Sequence, residues 1–180
     1  VSAARHVALL RGINVGKAKR IAMADLRALV ESLGCREVAT LLNSGNVVFT
    51  ATKSDGLAAR IQKAIAAKTG VTARVTVVSA DELATIVREN SLLDVATDPS
   101  RLLVAFLADP ADRPKLVALA KQDWKPEAMA VGSRAAYFWM PDGVADSRVA
   151  KALDKALGDA TTSRNWSTIT KLAALVGAQT

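Results

Sequence analysis

Val38-Ala-Thr-Leu-Leu-Asn-Ser-Gly-Asn-Val-Val-Phe-Thr50 decides the fold. Two short strand-forming runs, Val38–Asn43 and Asn46–Thr50, meet at Ser44-Gly45, a two-residue hairpin signal. A helix stands on each side of this hairpin. Ala24–Gly34 places Leu26, Leu29, Val30 and Leu33 at i, i+3, i+4 and i+7, one stripe facing a core. Gly34 suits a left-handed C-terminal cap, and Cys35 falls where a hydrophobic residue closes such a motif. Asp55–Thr69 repeats the pattern with Leu57, Ile61, Ala64 and Ile65 inward, and Gly70 ends it. Outside the helices lie two apolar runs of strand length, His6–Arg11 and Thr72–Val78. The order is β-α-β-β-α-β, the ferredoxin-like arrangement. Ser79 and Glu82, three residues apart, then form a capping box for a further helix.

Asp98-Pro99-Ser100 resets the chain, and the same order follows. Leu102–Leu107 reads as a strand and Asp112–Gln122 as a helix. Ala128–Gly132 and Ala135–Met140 read as a hairpin through Gly132-Ser133. Ser147–Leu157 is a helix closed by Gly158, Thr161–Ser163 a short strand, and Trp166–Val176 a final helix. The expectation is an α+β fold of two ferredoxin-like βαββαβ halves, mainly antiparallel sheets covered by helices. The first half is residues 1–96, with a linking helix, and the second is 97–180.

The composition suits a folded protein: 51% of the 180 residues are hydrophobic and 23% charged. No apolar run approaches membrane-spanning length, so no membrane partner is expected. Val1-Ser-Ala-Ala-Arg-His6 lacks the apolar region of a signal peptide, and a single Cys fits a reducing compartment, so the expected location is cytoplasmic. The net charge of +7 is uneven: residues 1–90 carry 13 Lys/Arg against 7 Asp/Glu, and residues 91–180 carry 11 against 10. A basic first half invites an anionic partner.

Arg11-Gly-Ile-Asn-Val-Gly-Lys-Ala-Lys-Arg20 follows the first strand, with four cations, no acid, and glycines at 12 and 16. It is not a Walker phosphate loop: three residues separate the glycines instead of four, and Ala18 stands where a hydroxyl is required. Nor does it match the dinucleotide fingerprint. Two readings stay open. Backbone N–H groups around Gly12 and Gly16 can gather with Arg11, Lys17, Lys19 and Arg20 around an anion. Alternatively, this is a solvated loop whose glycines permit positive φ. The second candidate is Thr161-Thr-Ser-Arg-Asn-Trp166. There Asn165 or Ser163 can cap the last helix, and Arg164 can assist an anion at its N-terminus. In a duplicated fold the two stretches are expected at equivalent ends of the two halves.

Other chemistries find few residues. The chain has one His, His6, near the start of a strand, and one Cys, which leaves no basis for a metal site, a triad or a cofactor. Tyr137 and Trp139 alternate onto one face of a strand and Phe138 onto the other; that face can stack bases, or pack in a core.

Ala8-Leu-Leu-Arg-Gly-Ile-Asn-Val-Gly16, Met23-Ala-Asp-Leu-Arg27, Ser44-Gly-Asn-Val-Val-Phe49 and Arg164-Asn-Trp166 with Thr170-Lys-Leu172 resemble the domain-of-unknown-function 1697 family, over nearly the whole chain. The resemblance brings no activity with it. It implies that Lys17 replaces a frequent second glycine, Asn43 a usual glutamine, and Ser167 a frequent asparagine. The distinctive positions are Arg, Asn, Gly and Ser, which points to binding. The expected site is Arg11, Asn14, Gly16, Lys17, Asn43, Ser44, Asn46, Arg164 and Asn165, recognising an anionic or phosphorylated small ligand. Two other readings stand beside it. One is nucleic-acid binding through the basic half; the other is an enzyme acting on a phosphorylated small molecule, with Arg11, Asn14 and Arg164 stabilising charge. Oligomeric state is left open.

Overall fold

Every element expected around the hairpin forms. Strand β1 (Ala4–Arg11) leads to helix α1 (Met23–Ser32), strands β2 (Arg36–Leu41) and β3 (Asn46–Ala51), helix α2 (Leu57–Thr69) and strand β4 (Arg74–Ser79). The structure is a computed structural model and describes residues 2–18, 20–43 and 45–178. The four strands make an antiparallel sheet in the order β2-β3-β1-β4. Its hairpin differs from the two-residue reading. Leu41 pairs with Asn46, so the connection between the strands is longer than two residues. The reversal is carried by left-handed backbone at Leu42 (φ 60°) and Gly45 (φ 89°). Gly45 is also tied to the neighbouring strand, its carbonyl accepting from Leu10 N at 2.8 Å.

Alternation along the strands sets two faces. On one, Ala8, Leu10, Val47, Phe49 and Val75 pack with Leu26 and Val30 of α1 and Ile61 and Ile65 of α2. Cys35 is buried in the same cluster, as the cap reading requires. The other face is buried too, at Val7, Leu9, Val48 and Val78. Helix α2 starts at Leu57 instead of Asp55 because its N-cap, Gly56, is left-handed.

Helix α3 (Ala80–Arg88) follows, and its predicted capping box closes in both directions. Glu82 Oε2 accepts from Ser79 N at 2.8 Å, and Ser79 Oγ accepts from Glu82 N at 3.1 Å. Then come β5 (Leu102–Leu107), α4 (Arg113–Ala120), β6 (Ala128–Val131), β7 (Ala135–Trp139), α5 (Arg148–Leu157), β8 (Thr161–Asn165) and α6 (Trp166–Val176). The second sheet has the order β6-β7-β5-β8, the counterpart of the first. This is the expected α+β architecture with a duplicated βαββαβ order. The turn of the second hairpin is Ser133-Arg134, closed by Gly132 N donating to Ala135 O at 2.8 Å. Ala105, Leu107, Ala136 and Phe138 pack with Leu116 of α4 and Leu153 of α5.

By compactness the chain divides into two units. Among the described residues, one holds 2–83 together with 172–178; the other is Ala84–Lys171. Both divisions fall inside helices, α3 and α6. Among the described residues no helix is long and apolar enough to cross a membrane.

Candidate functional site

The basic loop leaves the C-terminal end of β1. Strand register sets Arg11, the last residue of β1, directly opposite Arg74, the first residue of β4. Both lie on the sheet face away from α1 and α2, since their neighbours Leu10, Ala73 and Val75 belong to the helix-side core. Register therefore brings two cationic residues of neighbouring strands onto the same face of the sheet. Beyond them Gly12 (φ 86°) turns the chain, buried Ile13 anchors it, and Gly16 (φ 60°) turns it again. Val15, Gly16, Lys17, Ala18 and Arg20 are exposed. Lys19 and Ser44 lie outside the described residues.

Asn14 and the hairpin hold this loop in place. The Asn14 amide donates from Nδ2 to Asn43 O at 2.9 Å and accepts at Oδ1 from Ile21 N at 2.9 Å. Both ends of its side chain are thereby engaged by backbone, which makes Asn14 a clasp between the loop and the β2–β3 turn. Its φ of 52° is one that asparagine tolerates. Gly45 lies directly beneath: a Cβ there would stand 2.8 Å from both Ile13 Cδ1 and Leu10 Cβ. Asn46 is fully buried and donates from Nδ2 to Leu41 O at 2.8 Å, bracing the base of the hairpin. Arg11, Asn14, Gly16, Lys17, Asn43 and Asn46 therefore share one end of the first sheet. Asn14 and Asn46 shape that end, while Lys17 and Asn43 are exposed on it.

Arg74 is the residue that sequence reasoning missed. Alternation along Thr72–Val78 marks it as the polar neighbour of Ala73 and Val75, but its partner across the sheet is set by register alone.

Arg164 and Asn165 belong to the second unit. Arg164 lies in β8 opposite Val104, on the face away from α4 and α5. Its Nη1 donates to Thr162 Oγ1 at 2.9 Å and to Ser163 O at 2.8 Å. Burial pushes its guanidinium pKa down to about 10, which leaves it cationic at neutral pH. Asn165 is the N-cap of α6, Oδ1 accepting from Thr168 N at 2.9 Å, so Asn165 caps the helix and Ser163 pairs with Ala105 inside the strand. The expectation of equivalent ends does not hold. Asn165 pairs with Leu103, near the start of β5, whereas the basic loop follows the end of β1. Strand β8 runs antiparallel to β5, so its last residues fall at the other end of the repeat.

The remaining chemical candidates are structural. His6 stacks on Phe49 at 5.7 Å between centroids and holds Ala4 O at 2.9 Å through Nδ1. Burial pushes the Cys35 thiol pKa up, away from a reactive thiolate. Tyr137, Phe138 and Trp139 are all buried, which removes β7 as a base-stacking platform. At the N-terminus of α5, Glu127 already supplies the negative charge: its carboxylate accepts from Arg148 N at 2.8 Å and from Ser147 Oγ.

A model of the family described as protein of unknown function (DUF1697) matches residues 3–137. The chain belongs to this family. The matched span includes the basic loop, the hairpin and Arg74, and stops before Arg164-Asn-Trp166. No curated protein matches the chain. A solved structure of a conserved bacterial protein from Streptococcus pneumoniae superimposes with a TM-score of 0.79 at 23% identity, over 97% of this chain and 99% of that one. At that identity the likeness establishes the fold alone. A candidate chlorite dismutase, 16% identical over 97% of this chain and 99% of that one, reaches a TM-score of 0.24 and carries no argument.

Proposed function

We propose that this DUF1697 protein binds a phosphate-bearing small molecule at the basic-loop end of its first unit. The observation that carries the reading is the Arg11–Arg74 register. A phosphate held by two arginines on one sheet face accepts charge-assisted, bidentate hydrogen bonds from their guanidinium groups. Lys17 and Arg20, exposed on the loop, add charge that draws an anion in. The Asn14 clasp and the Gly45 contact hold the loop before the ligand arrives, which lowers the entropy lost on binding.

The test is a thermal-shift panel of inorganic phosphate, sugar phosphates, nucleotides and short oligonucleotides at low and moderate salt. A ligand that binds only the folded chain raises the melting temperature. The expected result is a shift from small phosphates. Arg74→Ala should weaken binding about 10- to 100-fold, the loss typical of a hydrogen bond to a charged group, measured against the melting temperature of the free variant. No shift from any phosphate would refute the proposal. Shifts from oligonucleotides alone, vanishing with salt, would replace it by nucleic-acid binding.

A further inference from the structure

The tips of the two loops that frame this site are aliphatic. Val15 is 63% exposed and Leu42 53% exposed, and each is the chain neighbour of a residue in the Asn14–Asn43 clasp. Scattered surface aliphatics are ordinary. Leu42 is different because its backbone is left-handed, with φ 60°. Leucine adopts that conformation only at a cost, and asparagine, which stands at the next position, adopts it more easily. An exposed aliphatic side chain on strained backbone gains nothing from the fold itself, and such outliers mark functional loops.

We infer that the ligand of this site is an organic phosphate with an apolar body, its phosphate held by Arg11 and Arg74 and its apolar part by Leu42 and Val15. The inference rests on the phosphate reading and adds the class of ligand. Sheet order supplies the dimension. Strand β4 lies on one side of β1, and β3 then β2 lie on the other. At a strand spacing of about 4.8 Å, the β2–β3 turn sits about 10 Å or more from Arg74. A phosphate ester with an alkyl or aromatic group can span that distance, and a sugar phosphate would bring only hydroxyl groups to the aliphatic tips.

Calorimetric titration of the full chain with methyl phosphate and hexyl phosphate tests this. Hexyl phosphate should bind about tenfold tighter or more, as partial burial of its alkyl chain requires. Leu42→Asn, which suits the left-handed backbone, should bring that ratio close to one while methyl phosphate binds as before; Val15→Ser should narrow it. Equal binding of the two phosphates by the native chain would overturn the inference and leave the phosphate reading standing. So would a Leu42→Asn variant that weakens both equally. If neither phosphate binds, the phosphate reading fails and this inference with it.

Discussion

Gly45 shows how much one residue carries. It was legible as a turn glycine, and its φ of 89° bears that out. What the sequence hides is the contact beneath it, 2.8 Å from Ile13 Cδ1 and Leu10 Cβ to any Cβ placed there. Gly45→Ala should destabilise the protein by about 2–4 kcal/mol, from left-handed strain plus overpacking, read as a lower denaturation midpoint in urea. Because Ile13 anchors the basic loop, the same substitution should weaken phosphate binding. Gly16 is the control: its φ is 60°, but no atom lies within 4 Å of a Cβ there. Gly16→Ala should cost only about 1–2 kcal/mol, the left-handed strain alone. The two glycines look alike in sequence, and only their neighbours separate them.

At the scale of elements, interiors were legible and ends were decided by partners. The apolar stripes of α1 and α2 and the capping box of α3 are written in local spacing. Strand β8 runs to Asn165, two residues beyond the predicted Ser163, because β5 continues to pair with it as far as Leu103. The β2–β3 connection is longer than the two residues expected because the pairing of β2 with β3 ends at Leu41 and Asn46, while Gly45 O accepts from Leu10 N of β1. Asn165 was expected as a helix cap or an anion ligand, and its bond to Thr168 N assigns the cap. Asn165→Ala should lower stability by about 1 kcal/mol and leave affinity for small phosphates unchanged. Chemical denaturation and thermal shift on one variant separate the two roles; a loss of affinity without a loss of stability would contradict the assignment.

For the molecule as a whole, the chain's single tyrosine is a reporter of unfolding. Tyr137 is fully buried, its hydroxyl donates to Ile86 O at 2.5 Å, and burial, then the charge of Glu89, push its pKa above the ordinary range. The unfolded chain releases that proton near pH ~10. Folded Tyr137 keeps it to a higher pH, so its contribution to stability is complete below about pH 10 and is lost as pH rises further. In an alkaline titration, phenolate absorbance at 295 nm should appear in the same cooperative step as the loss of circular dichroism. Absorbance rising while the signal of the fold persists would contradict this burial. The sequence by itself determined the element order, the duplicated βαββαβ pattern, the inward faces of the helices and the cationic loop, because periodicity, caps and turn residues act between near neighbours in the chain. Only the tertiary structure decided that Arg11 faces Arg74, that Asn14 clasps the hairpin, and that the aromatics of β7 are buried. Those contacts join residues far apart in the chain, and their partners are chosen by strand register and packing, which no local pattern encodes.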